Sequence, residues 1–144
     1  MKRIIILSIT TVVFLLAQSC SKDKRIERSL EKKDGKWNIN KYAYEEYTNG
    51  TLSESETYLN AGNIVFSDNG ILVWTFNIDG DIETYGGQWA NDDESITLII
   101  DGDAIKFDIL ERSKKEMKLS GVVDTYTIGS TTYEDKFQLE IERD

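Results

Sequence analysis

The 144-residue chain contains no histidine, no proline and a single cysteine. Without these residues it cannot supply a histidine general base, a Ser-His triad or a zinc site built from histidine and cysteine. The absence of proline is compatible with uninterrupted β-strands. We therefore expect a protein that is not an enzyme and needs no cofactor.

Charge of one sign dominates the chain. Seventeen basic residues stand against 26 acidic ones, a net charge of −9. Without Lys2 and Arg3, 15 of the 17 basic residues remain, and the net charge becomes −11. Phosphate binding needs a basic surface, so we expect no nucleic-acid partner. An acidic body should also be repelled by anionic lipid head groups.

The first nineteen residues have the layout of an export signal. Residues 1–3 are basic, residues 4–17 form an apolar run shorter than the about 20 residues of a membrane span, and Ser19 precedes Cys20. This pattern resembles a bacterial lipoprotein signal, although Ala17 stands where Leu is usual. The resemblance implies cleavage before Cys20 and its modification with acyl chains such as palmitate. The alternative is an ordinary secretory signal with an incidental cysteine.

Residues 21–34 alternate in charge between this signal and the rest of the chain. Ile26 and Leu30 are four residues apart, so a short helix would present both to one surface. The alternative is a charged, flexible tether. In either case we expect this segment to act as a spacer between membrane and domain.

From Gly35 onward, short segments with a period of two alternate with turn residues. The turn sequences are Asn49-Gly50, Asp68-Asn69-Gly70, Asp79-Gly80, Asn91-Asp92-Asp93, Asp101-Gly102 and Gly129-Ser130. They predict eight or nine strands, near 36–47, 52–59, 63–67, 71–78, 82–90, 95–100, 104–111, 115–128 and 132–142. Short turns between all neighbours indicate an all-β, antiparallel, up-and-down sheet, which loses its exposed edges by closing into a barrel. The expected organisation is a signal at 1–19, the lipidated cysteine with a tether or short helix at 20–34, and the barrel at 35–144.

The alternation also predicts which side chains face inward. The inward sets are Leu72, Trp74, Phe76 and Ile78; Ile105, Phe107 and Ile109; and Phe137, Leu139 and Ile141. Two strands change parity: one from Ile39 to Tyr42, the other from Leu119 to Val122 across Gly121. A change of parity indicates a β-bulge, which we expect at these two places.

Gly35-Lys36-Trp37 opens the first strand, and "FSDNGIL" and "GGQWAND" follow in mid-chain. With the lipoprotein signal and the charged spacer, this order of motifs resembles the short lipocalin-like lipoproteins of Gram-negative bacteria. The resemblance implies that Gly35 and Trp37 close one barrel end, and that a late arginine stacks on the tryptophan. Arg143 is the candidate, with a solvated terminal arginine as the alternative. The Thr-Asp-Tyr motif of longer lipocalins is missing.

The triplet recurs at Gly87-Gln88-Trp89. We expect Gly86 and Gly87 either to relieve crowding or to allow a bulge, and Trp89 to pack at a barrel end.

Inward aromatic residues are the candidate binding site. Barrels of this size are either filled by side chains or hold one small molecule. The predicted ligand-binding residues are Trp74, Phe76, Phe107, Phe137 and Tyr85, with Tyr42, Tyr44 and Tyr58 as further candidates. The alternative is that all of them are plain core.

The acidic clusters favour turns over chemistry. Asp79-Gly80-Asp81 and Asp101-Gly102-Asp103 have the composition of hairpin turns and do not continue into a calcium loop, so we expect no metal site. Residues 92–94 are adjacent acids in a loop, not two carboxylates at a glycosidase separation.

These observations predict a lipoprotein of the outer membrane, facing either the periplasm or the exterior, that is held through Cys20 and binds a small hydrophobic ligand. The sorting prediction rests on Ser21, which resembles outer-membrane signals. The alternative is a structural or interaction lipoprotein with a filled barrel whose loops contact another envelope protein.

Overall fold

The structure is a computed structural model that describes residues 22–143. Cys20, Ser21 and the predicted signal lie outside the described residues. Helix α1 spans Lys22–Leu30, and a single 3-10 turn spans Lys33–Gly35. The strands are β1 Lys36–Thr48, β2 Thr51–Leu59, β3 Gly62–Phe66, β4 Ile71–Ile78, β5 Asp81–Asn91, β6 Ser95–Ile100, β7 Asp103–Arg112, β8 Glu116–Ile128 and β9 Thr131–Glu142. No helix within residues 22–143 is long and apolar enough to cross a bilayer.

All nine predicted strands are present, and each boundary lies within one residue of its predicted position. The strands form one antiparallel sheet in the order β2-β1-β3-β4-β5-β6-β7-β8-β9. Strand β9 also pairs with β1, which closes the sheet into a barrel. The predicted all-β barrel is confirmed.

Strands β2 and β3 share one position in the barrel wall. Both run antiparallel to β1: Leu59 lies opposite Lys41 and Asn63 opposite Asn38. Between them the chain bends at residues 60–62, where Gly62 has φ +116 and a Cβ would lie 1.9 Å from the Thr75 carbonyl oxygen. Eight wall positions therefore hold nine strands. The expectation that all consecutive strands pair is wrong at β2 and β3, because β1 is long enough to pair with both.

The first predicted bulge is present and the second is displaced. In β1 the register with β9 breaks between Ile39 and Lys41, as the parity change predicts. In β8 it breaks between Val122 and Asp124, after Gly121 instead of at it. Val122 is exposed, so its expected inward position is wrong. Gly121 is needed for another reason: a Cβ there would lie 2.9 Å from the Lys106 carbonyl oxygen.

The core fills the barrel from one end to beyond its middle. Its large, fully buried side chains include Trp37, Ile39, Ile64, Phe66, Leu72, Trp74, Ile96, Leu98, Phe107, Met117 and Leu119. Ile78, Ile105, Ile109 and Phe137 are partly buried and pack against it. The predicted inward faces of β4, β7 and β9 are confirmed.

Helix α1 lies across one end of the barrel, here called the closed end. Of its nine residues, Ile26 and Leu30 are buried in the barrel core. Asn91 Nδ2 donates a hydrogen bond of 2.8 Å to the Asp23 carbonyl oxygen. Of the two alternatives for this segment, the structure has the helix. Residues 22–30 are therefore part of the folded unit and not a free spacer.

The opposite end, called the mouth, carries the β4–β5 and β6–β7 turns. Beyond it, the outer halves of β2, β1, β9 and β8 pair with one another alone and form a four-stranded extension, called the flange (residues 43–57 and 122–136). The flange exposes Leu52, Val122, Val123, Tyr126 and Ile128.

Candidate functional site

An open cavity of about 530 Å³ lies at the mouth. Strands β4, β5, β6 and β7 supply most of its wall, and the inner faces of β1 and β9 complete it. Its lining residues are Tyr42, Trp74, Phe76, Ile78, Asp81, Glu83, Tyr85, Ile100, Asp101, Asp103, Ile105 and Phe137. The volume is within the range of small-molecule sites.

Aromatic rings form one continuous wall of this cavity. Phe76 is at its centre: it stacks on Trp74 with ring centroids 4.5 Å apart and meets Tyr42 edge to face at 5.4 Å. Tyr42 in turn meets Phe137 at 5.3 Å, and Phe76 meets Tyr85 at 6.2 Å. Because each ring is held by its neighbours, the wall is pre-formed for an apolar ligand.

Four of the five predicted ligand-binding residues line the cavity: Trp74, Phe76, Tyr85 and Phe137. Phe107 does not. It is fully buried and meets Trp74 edge to face at 6.3 Å, so it supports the floor from below. The prediction for Phe107 is wrong because alternation distinguishes inward from outward but not depth along the barrel. Ligand binding by the other four stays a prediction.

Carboxylates line the outer part of the cavity. Asp81, Glu83, Asp101 and Asp103 are all exposed lining residues, and no lysine or arginine is among the lining. They belong to the hairpins at Asp79-Gly80 and Asp101-Gly102, where both residues of each pair have positive φ. These sequences are turns, as predicted. The turns also place four acidic side chains around one apolar opening, which the sequence analysis missed.

Two tyrosines connect the aromatic wall with acidic groups. The Tyr85 hydroxyl donates a hydrogen bond to Glu83, which raises the pKa of Tyr85. Burial raises the pKa of Tyr42. Both side chains are therefore neutral at physiological pH, and the negative charge of the cavity comes from the carboxylates alone.

Trp74 has an unsatisfied donor. Its Nε1–H is buried and finds no hydrogen-bond acceptor among the described residues. Buried donors of this kind are rare, and an unpaired one costs roughly 1–3 kcal/mol. This one belongs to a residue of the cavity wall.

The closed end is built differently, around Trp37. The ring is fully buried, and its Nε1 donates a 3.0 Å hydrogen bond to the Leu30 carbonyl oxygen of α1. The Arg143 guanidinium lies 4.9 Å from the centre of the same ring. Arg143 also donates hydrogen bonds to the carbonyl oxygens of Ser29 and Lys114. Of the two alternatives for Arg143, the structure has the stacked one.

Two glycines are required because another backbone segment passes close to each of them. A Cβ on Gly35 would lie 1.8 Å from the Phe66 carbonyl oxygen, and one on Gly87 would lie 2.3 Å from that of Ile99. Gly86 has open space around it. The register through β5 is unbroken, so of the two predicted explanations crowding applies to Gly87, and the bulge does not occur.

Trp89 packs at the closed end, as the sequence predicts. It meets Phe66 edge to face at 5.4 Å, and its Nε1 donates a 3.0 Å hydrogen bond to the Ser67 carbonyl oxygen. Both Gly-x-Trp triplets therefore serve the same end of the barrel.

The barrel is up-and-down and has eight wall positions. A Gly-x-Trp triplet closes one end, and an arginine stacks on the tryptophan ring. These features together define the fold. The fold is lipocalin-like.

Comparisons with known proteins find solved structures that are similar to this chain at low sequence identity. No protein-family model matches the chain, and no curated protein sequence matches it. A lipocalin-like protein from Bacteroides uniformis is 15% identical, with 69% of this chain and 93% of that chain covered and a TM-score of 0.42. An uncharacterized protein from Bacteroides eggerthii is 15% identical, with coverages of 70% and 95% and a TM-score of 0.40. A deswapped triple mutant of bovine odorant binding protein is 17% identical, with coverages of 76% and 72% and a TM-score of 0.40.

Among residues 22–143, no group of three or more metal-ligating side chains is placed to hold a metal ion. The site residues that the sequence analysis missed are the mouth carboxylates and three isoleucines, Ile78, Ile100 and Ile105. A signal for them exists in the sequence. Consecutive hairpin turns of a meander alternate between the two barrel ends, so residues flanking the turns at 79–80 and 101–102 must meet at one end.

Proposed function

We propose that this protein is a non-catalytic, membrane-anchored lipocalin-like lipoprotein of the cell envelope that holds a small apolar molecule bearing a positive charge. The observation that carries the ligand proposal is the cavity at the mouth. It is open, aromatic and pre-formed, while the rest of the barrel interior is filled. A protein with a purely structural barrel has no need of an aromatic wall that faces water.

The charge of the cavity supports the choice of ligand class. Asp81, Glu83, Asp101 and Asp103 surround the opening without a basic partner in the lining. A cationic group there gains from several carboxylates at once, while an anionic group such as a fatty-acid carboxylate is repelled. Aromatic faces at the same place also attract cations.

The buried Nε1–H of Trp74 is a second supporting observation. An acceptor atom on the bound molecule that reached this N–H would satisfy it, which supports a ligand with a polar group as well as an apolar part.

The test uses three probes of equal chain length: dodecylamine, dodecanol and dodecanoate. Binding is followed by the change in tryptophan fluorescence, because Trp74 is in the cavity wall whereas Trp37 and Trp89 pack at the closed end. We expect saturable binding in which the amine binds about ten-fold more tightly than the alcohol, and the acid most weakly. The preference should shrink in high salt.

A matched pair of double variants locates the effect. Asp81→Asn with Asp103→Asn should remove most of the preference for the amine. Asp108→Asn with Asp124→Asn removes the same charge from exposed positions outside the cavity and should leave the preference intact. Equal binding of all three probes, or equal effects of the two double variants, would contradict the proposed ligand class.

Membrane anchoring is tested separately, by metabolic labelling with a tagged fatty acid. We expect label on the wild-type chain and none on Cys20→Ser. Labelling of both to the same extent would exclude acylation of Cys20. We propose the outer membrane as the location because Ser21 follows the cysteine.

An interaction lipoprotein is the second candidate, and the flange favours it. Val123, Ile128 and Leu52 are exposed apolar side chains on strands whose outer halves pair only with one another. If no probe binds, and if Val123→Lys with Ile128→Lys removes a cross-link to an envelope protein in intact cells, this candidate replaces ligand binding.

A further inference from the structure

A basic groove crosses the closed end of this acidic protein. Its volume is about 480 Å³, and its lining residues are Arg25, Arg28, Ser29, Lys32, Arg112, Ser113 and Lys114. Arg25, Arg28 and Lys32 come from α1 and the residues just after it. Arg112 and Lys114 come from the β7–β8 turn on the other side. Five cations and no carboxylate therefore face one groove in a chain whose net charge is −9.

These cations lack the partners that most lysines of the strands have. Four of the five strand lysines form an ion pair with a carboxylate at 2.7 to 3.6 Å, namely Lys41, Lys106, Lys118 and Lys136, and Lys36 forms none among the described residues. Within residues 22–143, none of the five groove cations forms one. Carboxylates are abundant in this chain, yet none of those that the structure describes forms an ion pair with a groove cation.

The groove is also held in shape. Arg143 donates hydrogen bonds to the carbonyl oxygens of Ser29 on one wall and Lys114 on the other. Its guanidinium is buried and stacked on Trp37, so this bridge is fixed to the barrel core. Positive charges are thereby kept close together without counter-charge, an arrangement that an anion stabilises.

The position of the groove in the chain points to the anion. Lys22, where α1 begins, follows Cys20 by two residues, so the two lie at most roughly 7 Å apart. Helix α1 itself is about 14 Å long. If acyl chains on Cys20 enter the bilayer, the closed end is held at the height of the lipid head groups. Electrostatic attraction there acts over about 8–10 Å.

We propose that the groove binds the phosphate groups of anionic lipids, so that the barrel stands on its closed end with the mouth directed away from the membrane. The acidic mouth is repelled by the same surface, which favours the same orientation. The inference rests on the proposed membrane attachment, and it differs from the sequence-based expectation that the acidic body is repelled by anionic lipid.

The test uses the protein produced from the full chain and reconstituted into nanodiscs of phosphatidylcholine, with or without one quarter phosphatidylglycerol. Amide hydrogen exchange is measured in the β7–β8 turn, residues 112–116, and in the mouth-side turn, residues 128–131. We expect phosphatidylglycerol to slow exchange at residues 112–116 about three-fold and to leave residues 128–131 unchanged. Equal exchange in the two kinds of disc would overturn the proposal.

Two triple variants separate the groove from overall charge. Arg25→Gln, Arg28→Gln and Lys32→Gln together should abolish the lipid effect at residues 112–116, a segment that the substitutions leave intact. Lys41→Gln, Lys106→Gln and Lys118→Gln remove the same charge from the barrel wall and should preserve it. Loss of the effect in both triple variants would show that net charge, not the groove, is responsible, and would overturn the proposal.

Inorganic phosphate added to discs of pure phosphatidylcholine tests the source of the anion. Protection at residues 112–116 equal to that from phosphatidylglycerol would assign the groove to a free anion and exclude the lipid. Acylation is read independently by fatty-acid labelling. If that label is absent, the proposed attachment fails, and the same exchange measurement on unanchored protein mixed with the discs still tests the groove.

Discussion

The two ends of the barrel use the same residue types for opposite purposes. At the closed end, Trp37 and Trp89 are buried and each indole N–H has a backbone acceptor. At the mouth, Trp74 has a buried indole N–H with no acceptor among the described residues, in a wall that opens to solvent. The indole donors separate the two ends: those of Trp37 and Trp89 are paired and that of Trp74 is not, although Arg143 Nε at the closed end is also a buried donor without a partner among the described residues.

The ends also differ in the charged groups around their cavities. Carboxylates surround the mouth cavity, whereas the closed end, which has an acidic turn at residues 92–94, also carries a groove lined by cations. The net charge of the chain does not reveal this groove, because a sum over residues contains no positions. The comparison predicts that changes at the closed end act on stability and changes at the mouth act on binding.

Removal of the Trp37 ring should give the largest difference in stability between variants of the two ends. Trp37→Ala should lower the free energy of unfolding by about 3–5 kcal/mol, since the ring is fully buried and Arg143 stacks on it. Tyr85→Ala at the mouth should cost less than about 1 kcal/mol and weaken probe binding instead. Urea denaturation followed by circular dichroism measures both, and an unchanged transition for Trp37→Ala would contradict its role.

Alanine substitutions at two glycines with positive φ compare the two ends more directly. Gly35 (φ +67) and Gly80 (φ +91) both occupy backbone conformations that cost about 1 kcal/mol for alanine. Gly80 has open space, whereas a Cβ on Gly35 meets a backbone oxygen. Gly35→Ala should therefore cost about 1–3 kcal/mol more than Gly80→Ala, measured by thermal denaturation. Equal losses would mean that the closed end relaxes around the extra atom.

Arg143→Gln tests whether the closed end is tied to α1. It removes the donors to Ser29 and Lys114 and the contact with Trp37, so we expect a loss of about 1–3 kcal/mol. Faster amide exchange should be concentrated in α1. Lys118→Gln, which removes one exposed ion pair, is the control and should cost less than about 1 kcal/mol. Exchange that rises evenly over the whole barrel would contradict a local tie.

The smallest effect concerns pH and the β5–β6 turn of the closed end. Hydrogen bonds from the Glu94 and Ser95 amides and the Ser95 hydroxyl lower the pKa of Asp92 from 3.8 to about 2. Because the folded pKa is the lower one, the ionised carboxylate stabilises the fold above the unfolded pKa, and this contribution is lost as the pH falls toward the folded value. The stability difference between wild type and Asp92→Ala should be constant above about pH 5 and shrink between about pH 4 and pH 2. Urea midpoints across that range measure it, and a difference that persists unchanged at pH 2 would refute the assignment.

The strands were predictable because turn chemistry is local. Asn49-Gly50, Asp79-Gly80 and Asp101-Gly102 all adopt the positive φ values that these residue types favour, and they fix where each strand ends. Alternation then gives the inward face. The stacking of Arg143 on Trp37 followed from the family resemblance, since the residues alone left a solvated arginine equally open.

Position along the barrel axis was not predictable, because a period of two carries no information on depth. Phe107 and Phe137 alternate alike, yet Phe107 is buried below the cavity floor and Phe137 lines the cavity wall. The basic groove was not predicted from the sequence for a related reason. Arg28 and Lys114 are far apart in sequence, and only the docking of α1 on the barrel brings them together.

The pairing of β1 with β9 determines when the barrel can close as the chain is synthesised. The wall closes only when β9 has emerged, and the contact of Arg143 with Ser29 spans 114 positions of the chain. Contacts of such long range form slowly, so a nascent chain lacking β9 has no closed form to adopt. Closure of the barrel therefore has to wait for strand β9.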